Sequence, residues 1–271
     1  MLFVLKTDAG GILFMATIIQ TPEECIAWRA ALPANHRLAL IATRGWIHSG
    51  HESLITKALE DGAEVVVSLF VSKATQHQDL NYDNDQMHRD IERLKELGVH
   101  AIFQPSEDAL FADYGRFVVR ETLFSQMMEG KTTPGYFDAA LTTMLRLLHL
   151  VRPSHTYMGE KDYQYYLLVR DMARSFFLPV EVVVCPTIRD ERGLPLSVRH
   201  HLLNDQQLEH AAMFTTFLTA HNVESKIVQQ LEEHGFVVEY VQDYKNRRYA
   251  AVTVGGIRLV DSVPLQDDII H

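Results

Sequence analysis

Two histidines three residues apart, His48 and His51, flank Gly50 in the stretch IATRGWIHSGHESLITKA (residues 41–58), just after an apolar run. Residues at that spacing near a helix start share one face, so both imidazoles can address one ligand. A helix N-terminus offers free backbone N–H groups and a partial positive charge, which suit phosphate oxygens. Gly50 would let the backbone approach such a ligand closely. A zinc site needs further ligands at characteristic spacing, and no obvious third one is present, so no protein-held metal is expected. The plain alternative is a pair of partly exposed loop histidines with no ligand.

Two later stretches carry similar chemistry. In MGEKDYQYY (158–166), Gly159 permits close approach, Lys161 supplies a point charge for phosphate, and Asp162 can accept from ribose hydroxyls. A solvated turn with a surface ion pair explains the same residues equally well. In GLPLSVRHHLL (193–203), Ser197 and Arg199 could close over a polyphosphate as a mobile basic loop.

The elements that must position these groups alternate along the chain. Residues 37–43 (RLALIAT) read as a strand, followed by a helix with Leu54, Ile55 and Ala58 on its buried stripe and Gly62 as its stop. Residues 63–72, dense in valine, read as a central parallel strand. A helix over 85–98, a strand over 100–106, an apolar helix over 137–151 and a strand over 155–159 follow, then a helix over 161–177 and a strand over 180–187. This alternation predicts an α/β, doubly wound, Rossmann-like parallel sheet with right-handed crossovers, whose ligands sit beyond the carboxyl ends of the strands. His48, Gly159 and the residues after Cys185 all fall at such ends. From about residue 187 the texture changes to a polar loop, two helices and three short strands, which predicts a smaller α+β domain. The expected division is therefore 1–186 and 187–271, the latter a lid, with residues 1–14 a possible extension ahead of an alternative start at Met15.

Composition bounds the function. The 271 residues are 47% hydrophobic and 22% charged, with a net charge of −10, as in a soluble globular protein. No apolar run approaches the roughly 18–20 residues that span a bilayer, and an acidic surface argues against a nucleic-acid partner. Cys25 and Cys185 lie far apart and suggest no disulfide framework, which fits a reducing cytoplasm. The apolar N-terminus is interrupted by Asp8, Gly10 and Gly11, which argues against a signal peptide.

Taken in order, the histidine pair, the GEKD turn and the Ser-x-Arg loop resemble those of the pantothenate synthetases (pantoate–β-alanine ligases), of the nucleotidyltransferase superfamily. The resemblance runs over residues 16–263 and includes VVVSLFV, EGKTTPGYFDAALT, RPSHTYMGEKDYQ, IRDERGLPLS and IRLVDSV. It implies a two-step ligase: ATP adenylates pantoate with release of pyrophosphate, then β-alanine attacks the acyl-adenylate to give pantothenate and AMP. It implies that His48, His51, Lys161 and Arg199 are catalytic, and that Gly50, Gly159, Asp162, Ile188 and Ser197 join them around ATP. Mg²⁺ would accompany the nucleotide, and the protein would be a homodimer.

The acid-binding positions depart from the family's pattern. A methionine that flanks pantoate is Arg44 here; the N-P-x-Q-F stretch places Ser72 at its asparagine and Thr75 at its glutamine, with Gln76 one position off. K-D-[FY]-Q-Q becomes KDYQY, keeping Gln164 but putting Tyr165 at the second glutamine, and S-S-R-N becomes Ser197, Val198, Arg199, His200. Each lost hydrogen bond to a buried substrate group costs about 1–3 kcal/mol. Arg44 could grip a carboxylate in two places or simply point outward in an ion pair. Two alternatives therefore stand beside the ligase: an adenylating paralogue for another small acid, and a catalytically silent nucleotide-binding subunit.

Overall fold

The computed structural model describes residues 4–6, 12–14, 16–33, 35–71 and 82–265; Ser72, Thr75 and Gln76 lie outside them. The strands are β1 (Val4–Lys6), β2 (Ile12–Phe14), β3 (Thr17–Ile19), β4 (Leu38–Thr43), β5 (Glu64–Leu69), β6 (Ala101–Phe103), β7 (His155–Gly159), β8 (Glu181–Cys185), β9 (Val237–Tyr244), β10 (Arg247–Val254) and β11 (Ile257–Pro264). The helices are α1 (Pro22–Ala30), α2 (Ser49–Glu60), α3 (Asn84–Glu96), α4 (Glu107–Leu110), α5 (Glu129–Thr132), α6 (Tyr136–Val151), α7 (Tyr163–Ser175), α8 (Asp205–Leu218) and α9 (Glu224–Glu233).

The chain divides into two compact units. The first comprises residues 1–120, 138–158 and 169–184; the second comprises 121–137, 159–168 and 185–271. Two interior segments thus group with the C-terminal residues, one of them carrying the GEKD turn.

The first unit is built on a six-stranded sheet in the order β3-β6-β5-β4-β7-β8. The pairs β3–β6, β6–β5, β5–β4 and β4–β7 are parallel, the arrangement that the strand–helix alternation predicts. Leu38, Leu40, Ile41, Val65, Val66, Val67, Ile102 and Phe103 are fully buried in it, as central strands covered on both faces require. Ile55 and Ala58 of α2 and Leu94 of α3 are fully buried too. Full burial of each large aliphatic side chain contributes about 1.5–3 kcal/mol.

Strand β3 extends the sheet beyond what periodicity indicates: three residues with two exposed make no readable alternation. Helix α1 follows it, opened by a capping box in which Thr21 Oγ1 accepts from Glu24 N and the Glu24 carboxylate accepts from the Thr21 N–H. Strands β1 and β2 pair antiparallel with one another as a separate two-stranded sheet.

The second unit holds the antiparallel sheet β11-β10-β9 with α8 and α9. Phe214, Leu218, Ile227, Leu231, Ala250 and Val252 form its buried centre. The interior segments join this sheet through ion pairs and a hydrogen bond. Arg247 donates to the Glu160 carboxylate at 2.5 Å, Ser262 Oγ donates to the Glu160 carbonyl at 2.7 Å, and Arg258 meets Glu129 at 2.8 and 3.0 Å.

Candidate active site

The histidine motif hangs from the carboxyl end of β4. Thr43, its last residue, donates its hydroxyl to the carbonyl of Ser68 on β5 at 2.8 Å. The chain then reverses through Gly45 at φ +80° and Trp46 at φ +53°, a left-handed pair in which only glycine is unstrained. At Gly45 a Cβ would sit 2.2 Å from the ring of Tyr82, so the turn also needs the missing side chain.

Asp90 holds this reversal in place. It is 2% exposed on α3, and its two carboxylate oxygens accept the backbone N–H groups of Trp46 at 2.6 Å and Ile47 at 3.0 Å. The Tyr82 hydroxyl (2.8 Å) and the Gln86 amide (2.9 Å) donate to the same oxygens. Burial, followed by the adjacent Asp90 charge, pushes the Tyr82 phenol well above its usual range, so it stays a donor. Four donors satisfy a buried carboxylate that would otherwise be expensive to desolvate. Sequence reading passed over Asp90, yet a signal existed: Gln86, Asp90 and Leu94 form the buried i, i+4, i+8 stripe of α3.

His48 is itself the N-cap of α2, with extended backbone and Nδ1 accepting the Gly50 N–H at 3.1 Å. Its carbonyl accepts from His51 N at 2.8 Å and Glu52 N at 3.0 Å. Because Nδ1 accepts, the proton of the neutral ring resides on Nε2, which becomes a donor. The rings of His48 and His51 lie 4.1 Å apart between centroids, tilted by 40°. Gly50 serves this cap directly, since a Cβ there would lie 2.8 Å from His48 Cε1. The motif is thus an imidazole pair folded over the start of a helix, suited to an anion. Arg44 is half-buried immediately before the reversal.

The second unit gathers another group. Lys161, Ser197 and Arg199 line one small, partly enclosed cleft together with His200, Pro195 and Arg258. Ser197 caps the short turn Val198–Leu202, its Oγ accepting from Arg199 N at 3.3 Å, and Arg199 donates to the carbonyl of Arg258 at 3.0 Å. Asp261 is buried beside this cleft; Arg189 meets its two oxygens at 2.7 and 3.1 Å. Burial raises the Asp261 pKa, opposed first by Arg189. Lys161 stands in a 3₁₀ turn whose Glu160 is gripped by Arg247, and the Arg247 guanidinium lies 3.9 Å over the Tyr163 ring.

The other expected residues occupy distinct settings. A Cβ on Gly159 would meet nothing within 4 Å among the described residues. Asp162 is exposed. Ile188, 39% exposed, accepts from Leu196 N at 2.9 Å across the loop that leads to Ser197. Gln164 is 5% exposed and donates both amide hydrogens, to the carbonyls of Phe124 (2.9 Å) and Met127 (3.0 Å), while its oxygen accepts from Glu129 N at 3.3 Å. Its amide therefore braces residues 124–129. Tyr165 is half-buried, its ring stacked on Phe137 with centroids 6.4 Å apart. Among the described residues no group of three or more His, Cys, Asp or Glu side chains could hold a metal ion, and no helix is long and apolar enough to cross a membrane.

Comparison with known proteins identifies the family. The family model described as pantoate-beta-alanine ligase matches residues 17–264. A pantothenate synthetase of Legionella pneumophila is 35% identical over 251 residues, covering 90% of this chain and 98% of its own. One of Bdellovibrio bacteriovorus is 33% identical over 253 residues, covering 93% and 100%. Among solved structures, the pantoate-beta-alanine ligase of Francisella tularensis complexed with beta-gamma ATP and beta-alanine aligns with a TM-score of 0.85 and 31% identity, over 92% of this chain and 98% of that one. The pantothenate synthetase of Thermus thermophilus aligns with a TM-score of 0.80 and 29% identity, over 92% and 99%. With a collinear match along nearly its whole length and a parallel sheet of the same architecture, the chain belongs to the pantoate–β-alanine ligase family.

Proposed function

We propose that the protein joins pantoate to β-alanine at the expense of ATP. A pantoate carboxylate oxygen attacks the α-phosphorus of ATP, and the bond to the bridging oxygen breaks to release pyrophosphate. The β-alanine amine then attacks the acyl carbon of the pantoyl-adenylate, the bond to AMP breaks, and the amine gives up a proton to form the amide. The observation that carries this reading is family membership across residues 17–264.

Charge builds on pyrophosphate as it departs, and in this reading the Nε2–H of His48, with His51 beside it, donates to those oxygens. The donors are fixed before the reaction by the Nδ1 cap and by Asp90, so little reorganisation accompanies the chemical step. Lys161, Ser197 and Arg199 hold phosphate, Gly159 and Asp162 face the ribose, and Ile188 lines the nucleotide. No covalent bond to the enzyme forms, so catalysis is positioning plus electrostatics. A donor set of lysine, arginine, serine and histidine suits anions rather than a divalent cation, so Mg²⁺ would arrive with ATP and would help to offset the phosphate charge that these residues hold. The family reading also supports a cytoplasmic homodimer. Arg44 and Tyr165, with Ser72, Thr75 and Gln76, address the acid.

Steady-state release of AMP from ATP, β-alanine and a panel of small hydroxy acids tests the reading. Pantoate should give the highest kcat/KM. Activity with another acid and none with pantoate would overturn it.

A further inference from the structure

The cleft of the second unit contains a titratable group that the reaction above leaves unused. His200 sits in the turn Val198–Leu202, with its N–H on the Ser197 carbonyl at 3.1 Å and its carbonyl accepting from Leu203 N at 3.2 Å. It lines the same cleft as Lys161, Ser197 and Arg199 and is half-buried.

The charges around it are mostly positive. Lys161 comes from the GEKD turn, Arg199 and His201 from its own turn, Arg258 from β11, and Asp190 from the preceding loop. Arg258 is already paired with Glu129 and Glu239. The Asp190 carboxylate accepts the N–H groups of Arg192 (3.0 Å) and Leu194 (2.9 Å). Burial first, then Lys161, hold the His200 imidazole below its ordinary pKa; Asp190 opposes them and His201 adds to the depression. The ring is therefore mainly neutral at pH 7 while the cleft is empty.

We infer that His200 is a phosphate-binding residue that takes up a proton as a nucleotide's phosphates bind against the residues that line this cleft. The inference rests on the reading of Lys161, Ser197 and Arg199 as phosphate contacts. Phosphate oxygens reverse the sign of the local field and offer the ring an acceptor, and both changes favour imidazolium. The proton comes from solvent and adds to the unprotonated nitrogen of the neutral ring. In the pattern S-S-R-N an asparagine stands at this position; it could donate to phosphate but could not change its charge. Coupling of nucleotide affinity to pH through this cleft would thus be a property of this chain's own residue.

The test is isothermal titration calorimetry of the full chain with a nonhydrolysable ATP analogue and Mg²⁺ at pH 7.5. Two buffers of different ionisation enthalpy give the protons taken up per nucleotide, for the native chain and for His200→Asn. Protons exchanged by the analogue and by His48 or His51 cancel in the difference. The native chain should take up roughly half a proton more than the variant. His200→Gln provides the same comparison should the asparagine variant fail to fold. Equal uptake in native chain and variant, with both binding nucleotide, would overturn the inference and leave the ligase reading intact. Failure of the native chain to bind nucleotide at all would sink that reading and the inference together.

Discussion

The carboxylate of Asp90 lies 2.6 Å from the backbone nitrogen of Trp46, two residues before the histidine that caps α2. A buried acid on one helix thereby fixes the turn from which His48 projects, and with it the spacing between Arg44 and the imidazole pair. Asp90→Asn presents an amide N–H₂ to a backbone N–H, leaving a buried donor unsatisfied. The substitution should lower stability by about 1–3 kcal/mol in urea unfolding. It should also lower kcat for AMP release by 10-fold or more under conditions where the variant is fully folded, because misplacement by an ångström is enough to do so.

Gly50→Ala separates catalysis from stability. The added methyl meets His48 Cε1 at 2.8 Å, so the imidazole must swing off its cap. Alanine favours the helix by about 0.5–1 kcal/mol, and loss of the cap costs about 1 kcal/mol. The melting temperature should therefore move little while kcat falls at least about 10-fold. A full-activity variant would show that the His48 orientation has no part in the reaction.

Glu160→Ala tests the clamp under Lys161. Arg247 is almost wholly buried, whereas the Glu160 side chain is 32% exposed. The loss should therefore be about 2 kcal/mol, below the roughly 3–5 of a fully buried pair. With Glu160 gone the turn loses its tie to β10, and KM for ATP should rise several-fold. Glu160→Gln keeps a hydrogen-bond acceptor for Arg247 and should recover most of the KM, an outcome that simple destabilisation would not produce.

His100 sets a pH dependence of stability. Its Nδ1 accepts the Val65 N–H at 3.1 Å, and burial lowers its pKa from the usual 6.5, partly opposed by Glu64. The folded state thus binds fewer protons than the unfolded chain near pH 6.5. The stabilising contribution is complete above that value and is lost as pH falls through the window below it, down to the folded pKa. In denaturant titrations between pH 8 and 5, His100→Gln should show a shallower acid-side decline than the native chain.

Much of the fold could be read because its strands are covered on both faces: the runs at Leu38–Thr43 and Glu64–Leu69 are almost entirely apolar. Thr17–Ile19 could not, since an edge strand of three residues carries no period. The capping box of Thr21 and Glu24 was a readable signal for α1, and the stripe of Gln86, Asp90 and Leu94 another for the buried acid. Histidine is not a usual cap, so the double duty of His48 emerges only from the geometry. The tie between Glu160 and Arg247 spans 87 residues and joins a turn to a strand, a pairing that no local pattern encodes. For the same reason no local pattern encodes the bracing of the Phe124 and Met127 carbonyls by the Gln164 amide.

The most direct test of the acyl-adenylate account is a single turnover with enzyme in excess over labelled pantoate, with ATP and without β-alanine. The account predicts enzyme-bound pantoyl-adenylate and one pyrophosphate for each pantoate converted, with AMP appearing only when β-alanine is added. Release of AMP or ADP without acylated nucleotide, or no consumption of pantoate at all, would contradict it.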